Sequence, residues 1–542
     1  MTLPVAGAEP GPNRIVELPP LLVSEPRNPL PWRYAEATGL EVLSLCPDYT
    51  TKEFMMQFCH LRQLLQLVIP PELQLSLSVP VVHILCGTEM QGRLNRDVLV
   101  DMFHTNPAAP AEHVHVLPNL RLMANDAYTV FALVDPVKME RSQLSLTPDY
   151  VSFTLQRRVP PLPAWFAVGV LHLYDSMLLD SKEIQLAPVV WLSDEGTEAV
   201  RKDPAAAALT LLPMEELLIA PRPPLAPAES VEHYREIWIA QSALFVRWAL
   251  DGRSLEERQA YFKFVDRASR GPVTEALFRE GFGLGFDEMR ARLGAYLPVA
   301  IGGTLRLHPD APLETIKFSL GPATPAEIGR IKGDWERLET AYVKKSYPAL
   351  SGNYLDQARR TLRRAYDLGE RDPRLLAVMG LCECDAGDDA AALPFLTAAV
   401  EARVVRPLAY AELARILYAQ ARAKPAGTQG KLSSPQTAAI VNLLLTARGQ
   451  SPPLSDLAEL FSDIWFHSDV RPLPSDLVHL DEDTILFPRS ANLSYRVALL
   501  DAQAGQWPSV RRLVDRGLAT APNATIRDRF AQLQGLLPPM PP

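Results

Sequence analysis

The fold of the C-terminal part of this chain is decided by residues 373–400, PRLLAVMGLCECDAGDDAAALPFLTAAV. Apolar and small residues recur every three or four positions on both sides of a turn at Ala386-Gly387-Asp388, which predicts two short helices. The first helix carries Leu376, Met379, Gly380 and Glu383, and the second carries Ala392, Leu396 and Ala399. Such a helix pair is one unit of a repeat if its pattern recurs at a fixed distance.

The pattern does recur, at a period of 34 residues. One period earlier, the positions that match the second helix hold Ala358, Leu362 and Ala365. One period later, the positions that match the first helix hold Tyr410, Leu413 and Ala414. This resembles the tetratricopeptide repeat (TPR) family, which has small residues at the eighth, twentieth and twenty-seventh positions, where paired helices approach closely. Leu396 stands where the family usually has an aromatic residue, and Glu383 where it usually has tyrosine.

A further unit is predicted near the C-terminus. It has Ala498 in its first helix, a turn at residues 504–506 and Pro522 at its end. This unit is out of step with the others by about half a period, so an insertion is required, and residues 424–435 have the composition of a loop. We therefore predict TPR-like repeats over residues 329–542. The alternative is a plain helical bundle whose alanines coincide with the period.

The N-terminal part is predicted to be of α+β type. Residues 1–30 form a Pro-rich tail, and the domain covers residues 31–300. Strands are predicted at residues 40–45, 81–86, 120–122 and 129–134, a helix at 51–67, and a series of helices from residue 147 to residue 296. Residues 301–328 are predicted to be a short β linker in which 304–307 pairs with 315–320. Thr324-Pro325-Ala326-Glu327 has the pattern of a capping box and opens the repeats.

Two helices of this domain resemble the metal-binding helices of gluzincin (peptidase MA-like) zinc peptidases. Residues 147–153 (TPDYVSF) correspond to the helix that carries His-Glu-x-x-His, and 162–169 (LPAWFAVG) to the helix with the third ligand, Leu-Pro-x-Trp-Phe-x-Glu-Gly. The resemblance covers about residues 32–300. In this chain the two histidine slots hold Pro148 and Ser152, the glutamate slot between them holds Asp149, and the third-ligand slot holds Val168.

These substitutions remove the chemistry that the resemblance would imply. Proline and valine have no donor atom for a metal, serine is a poor zinc ligand, and Asp149 has no metal-bound water to activate. No His-x-x-x-His pair occurs anywhere in the chain. We therefore predict no catalytic residue, no metal ligand and no cofactor.

Three other candidate groups are weak. His113 and His115 would share one face of a strand, but no third ligand is suggested, and His172 follows Val168 by one helical turn. Cys382 and Cys384 have no second pair of ligands nearby that would complete a zinc site.

Composition limits the remaining classes. The net charge of −9 and the lack of a dense basic stretch argue against nucleic-acid binding, and no apolar run has the length of a membrane span. Ala6-Gly7-Ala8 resembles the end of a secretory signal without its charged and apolar regions, so the compartment stays open, with export (periplasmic or extracellular) slightly favoured over the cytoplasm.

These observations favour a non-catalytic scaffold in which a metal-free, peptidase-like domain precedes a solenoid. A solenoid exposes a concave groove, whose usual partner is a protein or peptide, although a fold alone does not define a function. The alternative is a hydrolase that uses a non-standard site in the same cleft. The oligomeric state is not predicted.

Overall fold

The computed structural model describes residues 31–87, 119–134, 148–179, 182–219, 229–252, 254–346 and 351–538, together with Pro223 and Pro348. The tail at residues 1–30 and the residues His113 and His115 lie outside this part of the chain.

A six-stranded mixed sheet organises the N-terminal part, in the order β4-β5-β3-β2-β1-β9. Its strands are β1 (Arg33–Ala37), β2 (Leu40–Ser44), β3 (Val81–Gly87), β4 (Asn119–Met123), β5 (Tyr128–Val134) and β9 (Phe318–Pro322). β2, β3 and β5 are parallel, and the other neighbours are antiparallel. β3 lies inside the sheet, and every residue of its sequence VVHILCG is buried. This burial is expected for a strand that is covered on both faces. The four predicted strands are confirmed, whereas β1 was not predicted.

Helices cover both faces of this sheet. One face packs against α1 (Asp48–Leu65), whose buried residues Phe54 and Leu64 share a core with Val42 of β2. The other face packs against α11 (Pro325–Ser346), which contributes Ile331 and Trp335. The first helix of the repeat region is therefore part of the core of the N-terminal sheet.

A mainly helical segment follows the sheet. Its helices are α2 (Pro148–Gln156), α3 (Ala164–Tyr174), α4 (Asp194–Lys202), α5 (Pro204–Leu209), α6 (Met214–Leu218), α7 (Glu229–Leu250), α8 (Leu255–Arg270), α9 (Glu275–Phe282) and α10 (Phe286–Gly302). A small antiparallel sheet is formed by β6 (Met177–Leu179), β7 (Ile184–Leu186) and β8 (Leu305–Leu307).

The predicted strand pair within residues 301–328 is wrong. Both strands form, but β8 pairs with β7 and β9 pairs with β1, so each extends the edge of a different sheet. An edge strand has unpaired backbone groups, and pairing with it satisfies more of them than an isolated two-stranded ribbon could. The domain boundaries at 300 and 328 stay predictions, since these strands join the two parts rather than separate them.

The C-terminal part is a TPR-like array of helix pairs. After α11 it comprises α12 (Ser351–Asp367), α13 (Pro373–Asp385), α14 (Asp389–Glu401), α15 (Pro407–Ala423), α16 (Ser434–Arg448), α17 (Ser455–Phe466), α18 (Pro474–Leu486), α19 (Ala491–Gln503), α20 (Trp507–Thr520) and α21 (Ala524–Gly535). The predicted capping box is present, since Thr324 Oγ1 accepts from the Glu327 N–H at 3.2 Å and Glu327 Oε2 accepts from the Thr324 N–H at 2.7 Å.

The small residues of the repeat lie where its helices cross. A Cβ on Gly380 would lie 2.5 Å from Leu396 Cγ, so α13 and α14 meet too closely for a side chain there. The same contact in the preceding pair is made by Gly333 on α11 and Leu362 on α12, again at 2.5 Å. Leu362 precedes Leu396 by one period, but Gly333 does not precede Gly380 by one, because α11 has 22 residues whereas α13 has 13. The insertion predicted at residues 424–435 covers the whole connection between α15 and α16, which is residues 424–433, and the first two residues of α16.

The alanines of α14 give a direct test of this packing. Ala392 and Ala399 are fully buried, whereas Ala390 on the same helix is exposed. We expect Ala392→Leu and Ala399→Leu each to lower the free energy of unfolding by about 1–3 kcal/mol, because overpacking forces neighbouring side chains to move. Ala390→Leu should change it by less than about 0.5 kcal/mol, measured by urea denaturation. Equal losses at all three positions would contradict the repeat assignment.

Candidate functional site

The four slots of the zinc-peptidase pattern lie on α2 and α3. Pro148 and Asp149 occupy the exposed first turn of α2, and the Asp149 carboxylate forms a salt bridge with Arg121 of β4. Ser152 and Val168 are half-buried. Asp149 is thus held as a surface ion-pair partner at a helix N-terminus, where an acid is favourable for electrostatic reasons alone.

Packing explains the rest of the motif. Tyr150 is buried against Phe58 and Tyr128, with ring centroids 5.5 and 5.7 Å apart, and fixes α2 on the sheet. Gly169 lies where α3 crosses α7, and a Cβ there would lie 2.6 Å from the carbonyl oxygen of Ser242. The glycine that follows the third-ligand slot therefore has a structural requirement independent of any metal.

The other histidine and cysteine candidates are not brought together. Among the described residues, no group of three or more His, Cys, Asp or Glu side chains has the arrangement of a metal site. Cys382 and Cys384 are both free thiols, and burial raises the pKa of each to about 12, so neither is a thiolate at neutral pH. His83 is buried between the rings of Phe54 and Phe58, where burial lowers its pKa to about 3.

His172 lies instead at the rim of a cavity of about 460 Å³ between the end of α3, residues 188–192 and α7. None of the four motif slots is among the described residues that line it. The imidazole of His172 is exposed, and the carboxylates of Asp175 and Glu236 also lie at this cavity.

A buried ion network joins the N-terminal part to the repeats, and sequence reasoning missed it. Arg406, which precedes α15, forms an ion pair with Asp126, with Nε 3.0 Å from Oδ2, and its Nη1 donates to Asp334 Oδ2 at 3.0 Å. Asp126 comes from the β4–β5 turn and also accepts the Leu408 N–H at 3.0 Å, so it caps the first turn of α15 from outside the helix. Arg337 continues the network from Asp334 to Asp385 of α13.

A second buried carboxylate, from the sheet, joins the N-terminal part to α11 and α13. Glu41 of β2 is fully buried and pairs with Arg330 at 2.7 Å and with Arg374 at 2.6 Å. Ser78 completes the contact near α17, where its N–H donates to the Ser451 carbonyl at 2.8 Å. These contacts join the N-terminal part to α11, to the starts of α13 and α15, and to the connection that precedes α17.

An apolar pocket of about 130 Å³ lies between α16, α17 and α18. Its lining includes Leu445, Leu457, Phe461 and Phe487, and Arg448 and Asp483 lie together at one side as an ion pair. A cavity of similar size, about 150 Å³, holds a benzene molecule in a protein core. This pocket therefore has room for one aromatic or leucine side chain.

No protein-family model matches the sequence, and no curated protein matches it. Among solved structures, a thermophilic TPR protein of Thermus thermophilus is similar at 16% identity over 36% of this chain and 98% of that chain, with a TM-score of 0.24. The description of the repeats as TPR-like rests on their helix pairs. Among the helices that the structure describes, none combines the length and apolar character needed to cross a lipid bilayer.

Proposed function

We propose that this chain is a non-catalytic interaction protein that binds a protein or peptide partner through its TPR-like repeats. The observation that supports this best is the apolar pocket between α16, α17 and α18. Apolar cavities on a protein surface are characteristic of binding sites, and buried anchor side chains supply most of the affinity of a peptide. The partner segment would place one aromatic or leucine side chain in this pocket.

The N-terminal part is proposed to be a metal-free, peptidase-like domain. In support, the three metal-ligand slots of the motif hold Pro148, Ser152 and Val168. Asp149, in the slot of the catalytic glutamate, forms an ion pair with Arg121. The buried ion pairs of Asp126 and Glu41 tie this domain to the array. In this proposal it orients the repeats and does not act on a substrate.

Selection from a displayed library of random peptides tests the binding proposal. We expect selected peptides to share one aromatic or leucine position, and Leu445→Trp to weaken their binding about tenfold or more, equivalent to about 1.4 kcal/mol, because the indole blocks the pocket. Fluorescence anisotropy with labelled peptides measures the dissociation constants.

Thr446→Trp is the matched control, since Thr446 is exposed beside Leu445 and does not line the pocket. It should leave the affinity unchanged within about twofold. A library that yields no binder, or binders indifferent to Leu445→Trp, would refute the proposed binding site. Turnover of ester or peptide substrates by the purified chain would favour the alternative of a hydrolase with a non-standard site.

A further inference from the structure

The cavity beside His172 has an apolar interior. Leu173 of α3 and Ala240 and Ala243 of α7 line it and are almost completely buried, and Val189 and Ile239 pack beside them. The two alanines lie three residues apart and thus on one face of α7, where larger side chains would fill the space. At about 460 Å³ the cavity lies within the size range of small-molecule sites.

Its rim is acidic. Asp175 and Glu236 both line the cavity, and among its described lining residues there is no lysine or arginine. Glu236 is 53% exposed on its side chain, so it lies at the opening rather than in the interior. The imidazole of His172 lies on the rim, and that of His233 has its Nδ1 3.9 Å from Glu236 Oε2. The buried Arg247 guanidinium lies beyond Pro188, where it donates to the Ala187 carbonyl at 2.8 Å and does not line the cavity.

From this combination we infer that the cavity binds a small organic cation, an ammonium group on an apolar body, with the ammonium at Asp175 and Glu236 and the apolar body against Ala240 and Ala243. The apolar interior favours a hydrocarbon body because its burial removes apolar surface from water. The two carboxylates favour a cation and disfavour an anion of the same shape. This site is independent of the peptide-binding proposal, since it lies on α3 and α7 and not on the repeats.

Three probes of equal chain length separate charge from apolar contact. We expect isothermal titration calorimetry to show that n-hexylammonium binds with a dissociation constant below about 1 mM, consistent with the ligand efficiency of small molecules. Hexanol should bind more weakly and hexanoate should not bind measurably. Hexanoate binding as tightly as hexylammonium would overturn the inference, as would the absence of hexylammonium binding.

Substitutions in the lining of the cavity test where the ligand binds. Asp175→Asn combined with Glu236→Gln should weaken hexylammonium binding about tenfold or more, and Val190→Trp, at a position 57% exposed on the cavity wall, should block it. Glu232→Gln is the matched control, because Glu232 is exposed on α7 one turn before Glu236 and does not line the cavity. Equal effects of the double variant and the control would overturn the assignment. If a lysine-containing peptide binds here and hexylammonium does not, the ligand is a polypeptide and the inference of a small cation is wrong.

Discussion

Arg406→Met is expected to lower the free energy of unfolding by about 3–5 kcal/mol, the loss typical when one partner of a buried ion pair is removed. Methionine matches the apolar stem of arginine but leaves two buried carboxylates without this cation. Asp126 is fully buried, and burial alone would raise the pKa of Asp334, yet Arg406 and Arg337 outweigh it and lower that pKa to about 2. Urea denaturation followed by circular dichroism at pH 7 measures the loss.

The control is Arg415→Met on α15, which also removes an arginine with two acidic partners, Asp389 and Glu412. Arg415 and Asp389 are 44% and 43% exposed on their side chains and Glu412 is 26% exposed, so the expected loss is at most about 1 kcal/mol. Adding Asp126→Asn to Arg406→Met should recover part of the stability, because asparagine can still accept the Leu408 N–H without a buried charge. If Arg406→Met and Arg415→Met destabilise the chain equally, Arg406 does not hold the two parts together.

The repeats could be predicted because their signal is local. Gly380 and Leu396 lie on consecutive helices, and their spacing is constrained by one helix crossing that recurs along the chain. The strands β2 and β3 were predictable for a similar reason, since their apolar runs show burial directly. Their pairing with distant partners was not.

The long-range features could not be read from the sequence. β1 pairs with β9 almost 300 residues later, and its sequence RYAEA has no strong apolar alternation. Asp126 and Arg406 are ordinary surface residues by local pattern, and only the fold makes them a buried pair. The peptidase resemblance was carried by residues such as Trp165, Phe166 and Gly169. In the structure Trp165 and Phe166 are buried in the core and Gly169 lies where α3 crosses α7, so packing alone accounts for these residues.

A second large effect is expected from Glu339 on α11, which is 4% exposed. Burial raises its pKa to about 7; the hydrogen bond from the Tyr354 hydroxyl opposes the rise, and the neighbouring Glu336 carboxylate adds to it. The unfolded chain has a glutamate pKa of about 4.3, so the folded state prefers the protonated form. The stability contributed by protonated Glu339 is therefore fully present below about pH 4.3 and is lost as the pH rises through about 7.

Glu339→Gln should remove this dependence. Glutamine keeps an acceptor for the Tyr354 hydroxyl and has no charge to bury, so we expect the variant to be more stable than the parent chain by up to about 4 kcal/mol at pH 8, and nearly equal to it at about pH 4. Urea denaturation of both proteins across this pH range measures the difference between their free energies of unfolding. The titration of all other groups is common to both proteins and cancels in this difference. Glu401→Gln, at an exposed position at the end of α14, should follow the parent at every pH. A variant that is less stable than the parent at pH 8 would mean that ionised Glu339 is stabilised by its neighbours, contrary to the raised pKa.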